Sequence, residues 1–120
     1  AGVNFAAGHP DYDYAVPRPE MMAAYGRIAE AVEVPVSGDL ENGYGDTPEA
    51  VGETIRQSIH HGMVGGSIED HSADAAKPLY HRELASDRSR AARAAAGPVV
   101  ATEVQAWDER GGGGRARPGE

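Results

Sequence analysis

The chain has 120 residues, which is enough for one small domain. It carries 19 acidic and 11 basic residues, a net charge of −8, so we expect no nucleic-acid partner, which would require a basic face. The absence of cysteine excludes disulfides, a cysteine nucleophile and thiolate metal ligands. No apolar run approaches the roughly 20 residues that span a bilayer, and the first residues do not resemble a signal peptide. We therefore expect a cytoplasmic protein with no membrane partner.

The first part of the chain predicts a strand end, a loop and one helix. Residues 1–7 are apolar and small, which is typical of the end of a strand, and residues 8–16 form a polar loop. A helix is expected to begin near Pro17 or Pro19, because proline is tolerated in a first helical turn. Four apolar residues then recur at helical spacing and predict one buried face: Met21, Tyr25, Ile28 and Val32.

The middle of the chain predicts two strands on either side of a helix. Residues 34–41 form the first clear strand, and residues 63–69 form the next one. Between them, Thr47 and Pro48 provide an N-cap hydroxyl and a proline at the first helical position. The helix is expected to stop at Gly62, since glycine is the usual residue just past a helix end.

The last part of the chain predicts a helix, a strand and a tail. The helix is expected to begin near Leu79 or Arg82 and to end near Ala95, and residues 99–102 are predicted as the last strand. Residues 107–120 contain four consecutive glycines and no apolar periodicity, which predicts a disordered Gly/Arg-rich tail.

Alternating strands and helices indicate an α/β protein with parallel strands and right-handed crossovers. Two architectures fit this order, an open doubly wound sheet and part of a (β/α)8 barrel. A complete barrel needs about 250 residues, so this chain would form an incomplete one. A self-contained flavodoxin-like domain is a further alternative, but it would require a phosphate-binding loop, and neither GxGxxG nor GxxxxGK[ST] is present.

Carboxylates cluster at the ends of the two predicted middle strands. Asp39 and Glu41 are two residues apart, so in a strand they would project from the same face. Glu69 ends the next strand, and an oxygen-rich site of this kind suits Mg2+. A calcium loop that starts at Asp39 is a poorer interpretation, because Tyr44 and Ala50 would occupy its glycine and glutamate positions.

Four segments together resemble the isocitrate lyase / phosphoenolpyruvate mutase superfamily. VPVSGDLENGYGD at 34–46 contains the motif D-x-[DE]-x-G-[YF]-G, and GHPD at 8–11 is similar to the gating-loop signature of these enzymes. GGSIED at 65–70 resembles their second metal-site strand, and KPLYHRELASDRSRAAR at 77–93 resembles the following loop and helix in a mutase-like branch. The resemblance covers roughly residues 1–100, and the segments occur in the family's order.

This resemblance implies a parallel (β/α)8 TIM barrel with Mg2+ at the C-terminal face of its strands. The chain would supply about strands 2–5, as an incomplete barrel over residues 1–106. Asp11 would be a catalytic residue on a mobile loop, and Tyr44 and Gly45 would shape the substrate-binding loop. The acids that would hold Mg2+, partly through bridging water, are Asp39, Glu41 and Glu69. Asp70 would point away from them.

The resemblance further implies a Mg2+-dependent lyase or mutase. Such an enzyme breaks or forms a C–C or P–C bond in a small 2-oxo or 2-hydroxy carboxylate, through an enolpyruvate-like intermediate. Members of the family are homo-oligomeric, and this chain could self-associate. The alternative is a catalytically inactive truncated fragment, because an incomplete barrel leaves sheet edges unpaired and a core half-built. Two departures from the family's pattern concern its catalytic groups. The chain lacks the cysteine of the lyase loop, and residues 98–104 lack the arginine that binds substrate in the family. Lys77 is interpreted as a surface residue.

Overall fold

The computed structural model describes residues 2–11, 14–98, 101–107 and 113–115, with side chains described for the first two of these ranges. The helices are α1 (Gly2–Ala6), α2 (Arg18–Ala31), α3 (Pro48–His60) and α4 (Arg82–Ala96). The strands are β1 (Ser37–Asp39), β2 (Gly65–Glu69), β3 (Ala101–Trp107) and β4 (Gly113–Arg115). No helix in these ranges is long and apolar enough to cross a membrane.

The described strands form one sheet in the order β1-β2-β3-β4. β1 and β2 are parallel, with Asp39 opposite Ser67, and β2 and β3 are parallel, with Glu69 opposite Gln105. Helices α3 and α4 provide the crossovers between these strands, so the predicted parallel α/β fold is confirmed. The described sheet is open, with β1 at one edge and β4 at the other.

Two strand predictions differ from the structure at the chain ends. The expected strand end at residues 1–7 is wrong, because α1 is a helical turn in which the Ala7 N–H donates to the Val3 carbonyl at 2.9 Å. Within the tail expected to be disordered, β4 pairs antiparallel with β3, with Gln105 opposite Arg115. The other residues of that tail after Trp107 lie outside the described ranges, as do residues 99 and 100 of the last predicted strand.

The predicted helix boundaries in the middle of the chain are confirmed by local hydrogen bonds. The Thr47 Oγ1 accepts from the Ala50 N–H at 3.2 Å, and Pro48 is the first residue of α3. Gly62 follows the helix with a φ of 88°, a left-handed conformation that glycine adopts without a Cβ clash. These signals are local in sequence, which is why they could be identified from it.

The core lies between the sheet and the helices, with contributions from α2, α3 and α4. Its buried members are Val16, Met21, Met22, Tyr25, Leu40, Val51, Ile55, Met63, Ile68, Ala92 and Ala96. From the predicted face of α2, Met21 and Tyr25 are buried as expected. Ile28 is 43% exposed and Val32 is 41% exposed, so the prediction is wrong for these two. Ile28 instead lines an open groove of about 830 Å³ between α1, α2 and β1.

Candidate active site

The three predicted metal-site acids lie at the carboxyl edge of the parallel sheet. Asp39 is the last residue of β1 and Glu69 is the last residue of β2. Glu41 lies just beyond β1, and its carbonyl accepts a hydrogen bond of 2.8 Å from the Glu69 N–H. The ends of two neighbouring strands therefore bring these residues to the same edge, as the parallel topology requires.

The local geometry at Glu41 differs from the one predicted from strand alternation. β1 ends at Asp39, and Glu41 has a φ of 53°, so the two residues are not members of one extended strand. The Asp39 Oδ1 accepts from the Glu41 N–H at 2.9 Å. The chain thus turns immediately after Asp39. The turn and the sheet edge place these carboxylates near one another. Alternation along a single strand, which the spacing of two residues predicted, does not.

Burial and like charges both act on the acids of this edge. Burial, followed by the carboxylates of Asp39, Glu69 and Asp11, raises the pKa of Glu41 to about 7. Burial also raises the pKa of Glu69, again with contributions from Asp39 and Asp11. We call these four residues the carboxylate edge. Their mutual repulsion is reduced by either a proton or a cation.

The side chains of the carboxylate edge are not positioned as a preformed metal-coordination site. In the part of the chain that the structure describes, no three His, Asp or Glu side chains are arranged to hold one ion. The donor set itself fits Mg2+, because all its members are carboxylates and Mg2+ commonly retains several of its water ligands. The metal role of Asp39, Glu41 and Glu69 stays a prediction.

Asp11 is held on its loop by the first helix. The Nδ2 of Asn4 in α1 donates to the Asp11 Oδ1 at 3.0 Å, and Asn4 is only 2% exposed. Asp11 raises the pKa of both Glu41 and Glu69, so its carboxylate lies within electrostatic reach of the sheet edge. This placement agrees with a loop that covers the edge, while the catalytic role of Asp11 stays a prediction.

The same loop segment is linked to the end of β2 through Tyr14. The Tyr14 hydroxyl donates to the His71 carbonyl at 3.0 Å. Burial and the Glu69 carboxylate raise the pKa of Tyr14. No local sequence signal points to Tyr14, because the contact joins residues 57 positions apart.

Tyr44 and Gly45 lie in the turn that follows Glu41. Tyr44 has a φ of 57°, and its hydroxyl is buried without a hydrogen bond among the described residues. Burial raises the pKa of Tyr44, with Glu41 as the next cause. A Cβ on Gly45 would be 2.6 Å from the Ala50 Cβ, so glycine is required there for steric reasons. The predicted substrate contacts of both residues remain predictions.

A buried arginine donates hydrogen bonds to this turn from α4. It was not predicted from the sequence. Arg88 in α4 is 0% exposed, and its guanidinium donates to the Gly45 carbonyl at 2.6 Å and to the Asn42 carbonyl. The Tyr80 ring covers the guanidinium, with the Arg88 Cζ 4.0 Å from the ring centroid. Burial lowers the pKa of Arg88, while Tyr80 and nearby carboxylates oppose that shift.

Side-chain hydrogen bonds continue from Tyr80 to the turn. Its hydroxyl donates to the Asp46 Oδ1 at 2.7 Å and accepts from the Asn42 Nδ2 at 3.0 Å. The Asn42 Oδ1 accepts from the Tyr44 N–H at 3.0 Å. We call Arg88, Tyr80, Asn42 and Asp46 the arginine network. It lies on the helix side of the turn, whereas the carboxylate edge lies at its start.

One sequence signal could have identified Arg88. The buried residues of α4 are Arg88, Ala92 and Ala96, which recur every four positions along one helical face. An arginine in register with small buried residues indicates a charge that must find partners in the interior. Lys77, by contrast, is exposed, as expected for a surface lysine.

Parallel strands followed by helices, with acidic residues at the carboxyl edge of the sheet, are typical of α/β-barrel enzymes, whose active sites lie at this edge. The sequence model of the family described as phosphoenolpyruvate phosphomutase matches residues 1–104. The chain belongs to this family.

Solved structures of the superfamily have the same fold. A protein from Burkholderia cenocepacia J2315 described as a lyase/mutase has 40% identity and a TM-score of 0.81, over 89% of this chain and 38% of its own. A second protein from that organism, described as a phosphonomutase, has 36% identity and a TM-score of 0.74. The match covers 86% of this chain and 41% of that protein's chain. A structure of 2,3-dimethylmalate lyase has 25% identity and a TM-score of 0.76, and the match covers 88% of this chain and 38% of that structure's chain. This chain therefore spans less than half the length of these structures. A comparison with curated proteins gives no match.

Proposed function

We propose that this chain carries part of the Mg2+ site of an enzyme that breaks or forms a C–C or P–C bond in a small 2-oxo or 2-hydroxy carboxylate. The observation that carries the proposal is the carboxylate edge, where burial and the charges of neighbouring acids raise the pKa values of Glu41 and Glu69. A site that gathers negative charge at a strand edge is suited to a hard cation with oxygen ligands.

The acids that would hold Mg2+, in part through water, are Asp39, Glu41 and Glu69. When bound, the ion would neutralise the charge that develops on an enolpyruvate-like oxygen. Glu41 must lose its proton to contribute a full charge, so a pKa of about 7 makes metal binding depend on pH near neutrality. Asp11 would help to close the loop over the edge, which excludes water from the reacting groups.

Names of related structures support the substrate class. Oxaloacetate acetylhydrolase, with 27% identity to this chain, has been determined in complex with its product oxalate. A phosphonopyruvate hydrolase has been determined with oxalate and Mg2+, although at 21% identity its likeness supports the fold alone. Oxaloacetate, which the name of the first structure contains, is a small 2-oxo carboxylate. We therefore propose a small 2-oxo carboxylate as the substrate class.

A second candidate is a chain that binds Mg2+ without turnover. It is favoured by the 38% coverage of the most similar structure described above and by the position of β1 at the edge of the described sheet. Exposed backbone on such an edge strand also promotes self-association. Consumption of oxaloacetate or phosphonopyruvate distinguishes the two candidates, because it registers whichever C–C or P–C bond is broken or rearranged.

The direct test is a two-dimensional amide NMR titration with Mg2+. We expect selective shifts for residues 39–45 and 69, and loss of these shifts in Asp39→Asn. Asp87→Asn is the matched control, because Asp87 is an exposed carboxylate on α4. Shifts that are equal in both variants, or absent from the folded wild-type chain, would contradict a Mg2+ role for the carboxylate edge.

A further inference from the structure

Arg88 is the bulkiest of the fully buried side chains in the described structure, and its environment is unusual for a helix-packing residue. A buried guanidinium must be compensated by hydrogen bonds or opposite charge, because removing it from water is costly. Two of its partners are backbone carbonyls of Asn42 and Gly45, which are 46 and 43 residues away in the chain. Arg88 therefore directs its donors to the turn and not to neighbouring helices.

The turn needs such support because its backbone conformation is unfavourable. Glu41 and Tyr44 have φ values of 53° and 57°, and Gly43 has a φ of 80°. Residues other than glycine rarely adopt left-handed conformations, and they do so where surrounding contacts hold them. Thr54 contributes one such contact, since its hydroxyl donates to the Gly43 carbonyl at 2.6 Å. Arg88 contacts the carbonyls on both sides of Gly43 and Tyr44.

Helix packing alone does not account for an arginine at this position. The small residues Ala92 and Ala96 already provide the close contact surface of α4, and the first of them is fully buried. The Tyr80 ring covers the guanidinium and its hydroxyl binds Asp46, so the arginine and the turn are joined by a second route. Both routes end on residues 42–46, which directly follow Glu41.

We propose that Arg88 is a positioning residue that fixes the turn at residues 42–46 and, through it, the placement of Glu41 and Tyr44 at the carboxylate edge. The guanidinium holds the Asn42 and Gly45 carbonyls in place by donating one hydrogen bond to each of them. Its effect on Mg2+ affinity rests on the proposed function above. Its effect on the order of the turn does not depend on any ligand.

The test uses Arg88→Met and Arg88→Lys in the full chain, with Arg90→Met as the matched control. Arg90 lies on the same helix but is 75% exposed. The first measurement is the amide hydrogen exchange rate of Tyr44, divided by that of Leu40, whose N–H donates to the Ser67 carbonyl in the sheet. This ratio cancels a uniform loss of stability. The second measurement is the dissociation constant for Mg2+, followed by amide shifts.

We expect Arg88→Met to raise the exchange ratio by about tenfold or more, because two charged hydrogen bonds to the turn are lost. Arg88→Lys should give a smaller increase, since one ammonium retains the charge but cannot bridge both carbonyls. Arg90→Met should leave the ratio unchanged. The Mg2+ dissociation constant should rise in the same order. If Arg88→Met does not fold, the Arg88→Lys ratio decides the question.

An exchange ratio in the folded Arg88 variants equal to that of the wild type would overturn the proposal, because Arg88 would then contribute to global stability alone. A raised ratio with an unchanged Mg2+ dissociation constant would also overturn it, since the turn would not control the edge. If the wild-type chain does not bind Mg2+, the proposed function fails, and the exchange ratio still decides whether Arg88 fixes the turn.

Discussion

The arginine network and the carboxylate edge lie at the two ends of one short turn, yet they solve opposite electrostatic problems. In the arginine network a buried cation contacts two carbonyls and an aromatic ring, and only its Nε atom has no hydrogen-bond partner among the described residues. At the carboxylate edge, the charges that act on Glu69 are other carboxylates. The first region thus compensates its charge within the fold, whereas the second leaves like charges close together, and our proposal of a cation site rests on this difference.

The largest effect is expected from Gly43→Ala, because Gly43 belongs to the segment that joins the two regions. Its φ is 80°, and an added Cβ would lie 2.9 Å from the Val51 Cγ2. Backbone strain and the steric clash together should lower the free energy of unfolding by about 2–4 kcal/mol. Chemical denaturation measures this change.

Gly8→Ala is the matched control for that substitution. Gly8 has a φ of 77°, but an added Cβ would meet nothing within 4 Å. It should therefore report the backbone term alone, about 1–2 kcal/mol. Equal losses in the two variants would mean that contact with Val51 is unimportant, and the turn would then be looser than described.

Features that depend on neighbouring residues could be predicted from the sequence, whereas features that depend on contacts between distant parts of the chain could not. The starts of α2 and α3 could be predicted from prolines and a threonine, because capping involves neighbouring residues. The acids of the carboxylate edge could be predicted because they end strands. Arg88 could not, since its partners lie more than 40 residues away and follow from the packing of α4 on α3. The exposure of Ile28 is likewise set by which elements cover α2.

The next largest effect is expected from Tyr80→Phe, which removes the tyrosine hydroxyl from the arginine network. The substitution keeps the ring over Arg88 and removes the hydroxyl that joins Asp46 to Asn42. Unfolding free energy should fall by about 1–2 kcal/mol. Asp46→Asn, which retains an acceptor oxygen, should cost less. Equal stability of Tyr80→Phe and wild type would show that the hydroxyl bonds contribute nothing net.

A smaller effect with a defined pH dependence is expected at the carboxylate edge. The pKa of Glu41 rises from 4.5 to about 7 on folding, so the folded chain retains this proton at higher pH than the unfolded chain does. Stability without metal should therefore fall as the pH rises from about 4.5 to 7, and then become level.

Glu41→Gln tests this origin directly. Without Mg2+ at pH 8 it should stabilise the chain by no more than about 1 kcal/mol, since solvent screens a half-buried group. It should also flatten the pH profile and weaken Mg2+ binding. A profile that is unchanged in the variant would assign the pH dependence to other groups.

The smallest effect is expected for the exposed ion pair between Arg90 and Asp87 on α4, which belongs to neither region. Both side chains are largely exposed, at 75% and 58%. Asp87→Asn should change the free energy of unfolding by less than about 0.5 kcal/mol, because surface pairs are screened and entropically costly. A larger loss would mean that α4 depends on its outer face, and Arg90→Met would then no longer serve as a neutral control.

The antiparallel strand β4 has a consequence for any attempt to rebuild a complete barrel from separate chains. A (β/α)8 barrel extends its sheet by adding parallel strands, whereas β4 pairs with the outer side of β3 through residues 113–115. An incoming strand would have to displace these three residues before it could pair with β3. Reconstitution would thus be an exchange reaction and not an addition. Its rate at high concentrations of the complementing chain would reach a plateau set by the opening of the β3–β4 pair.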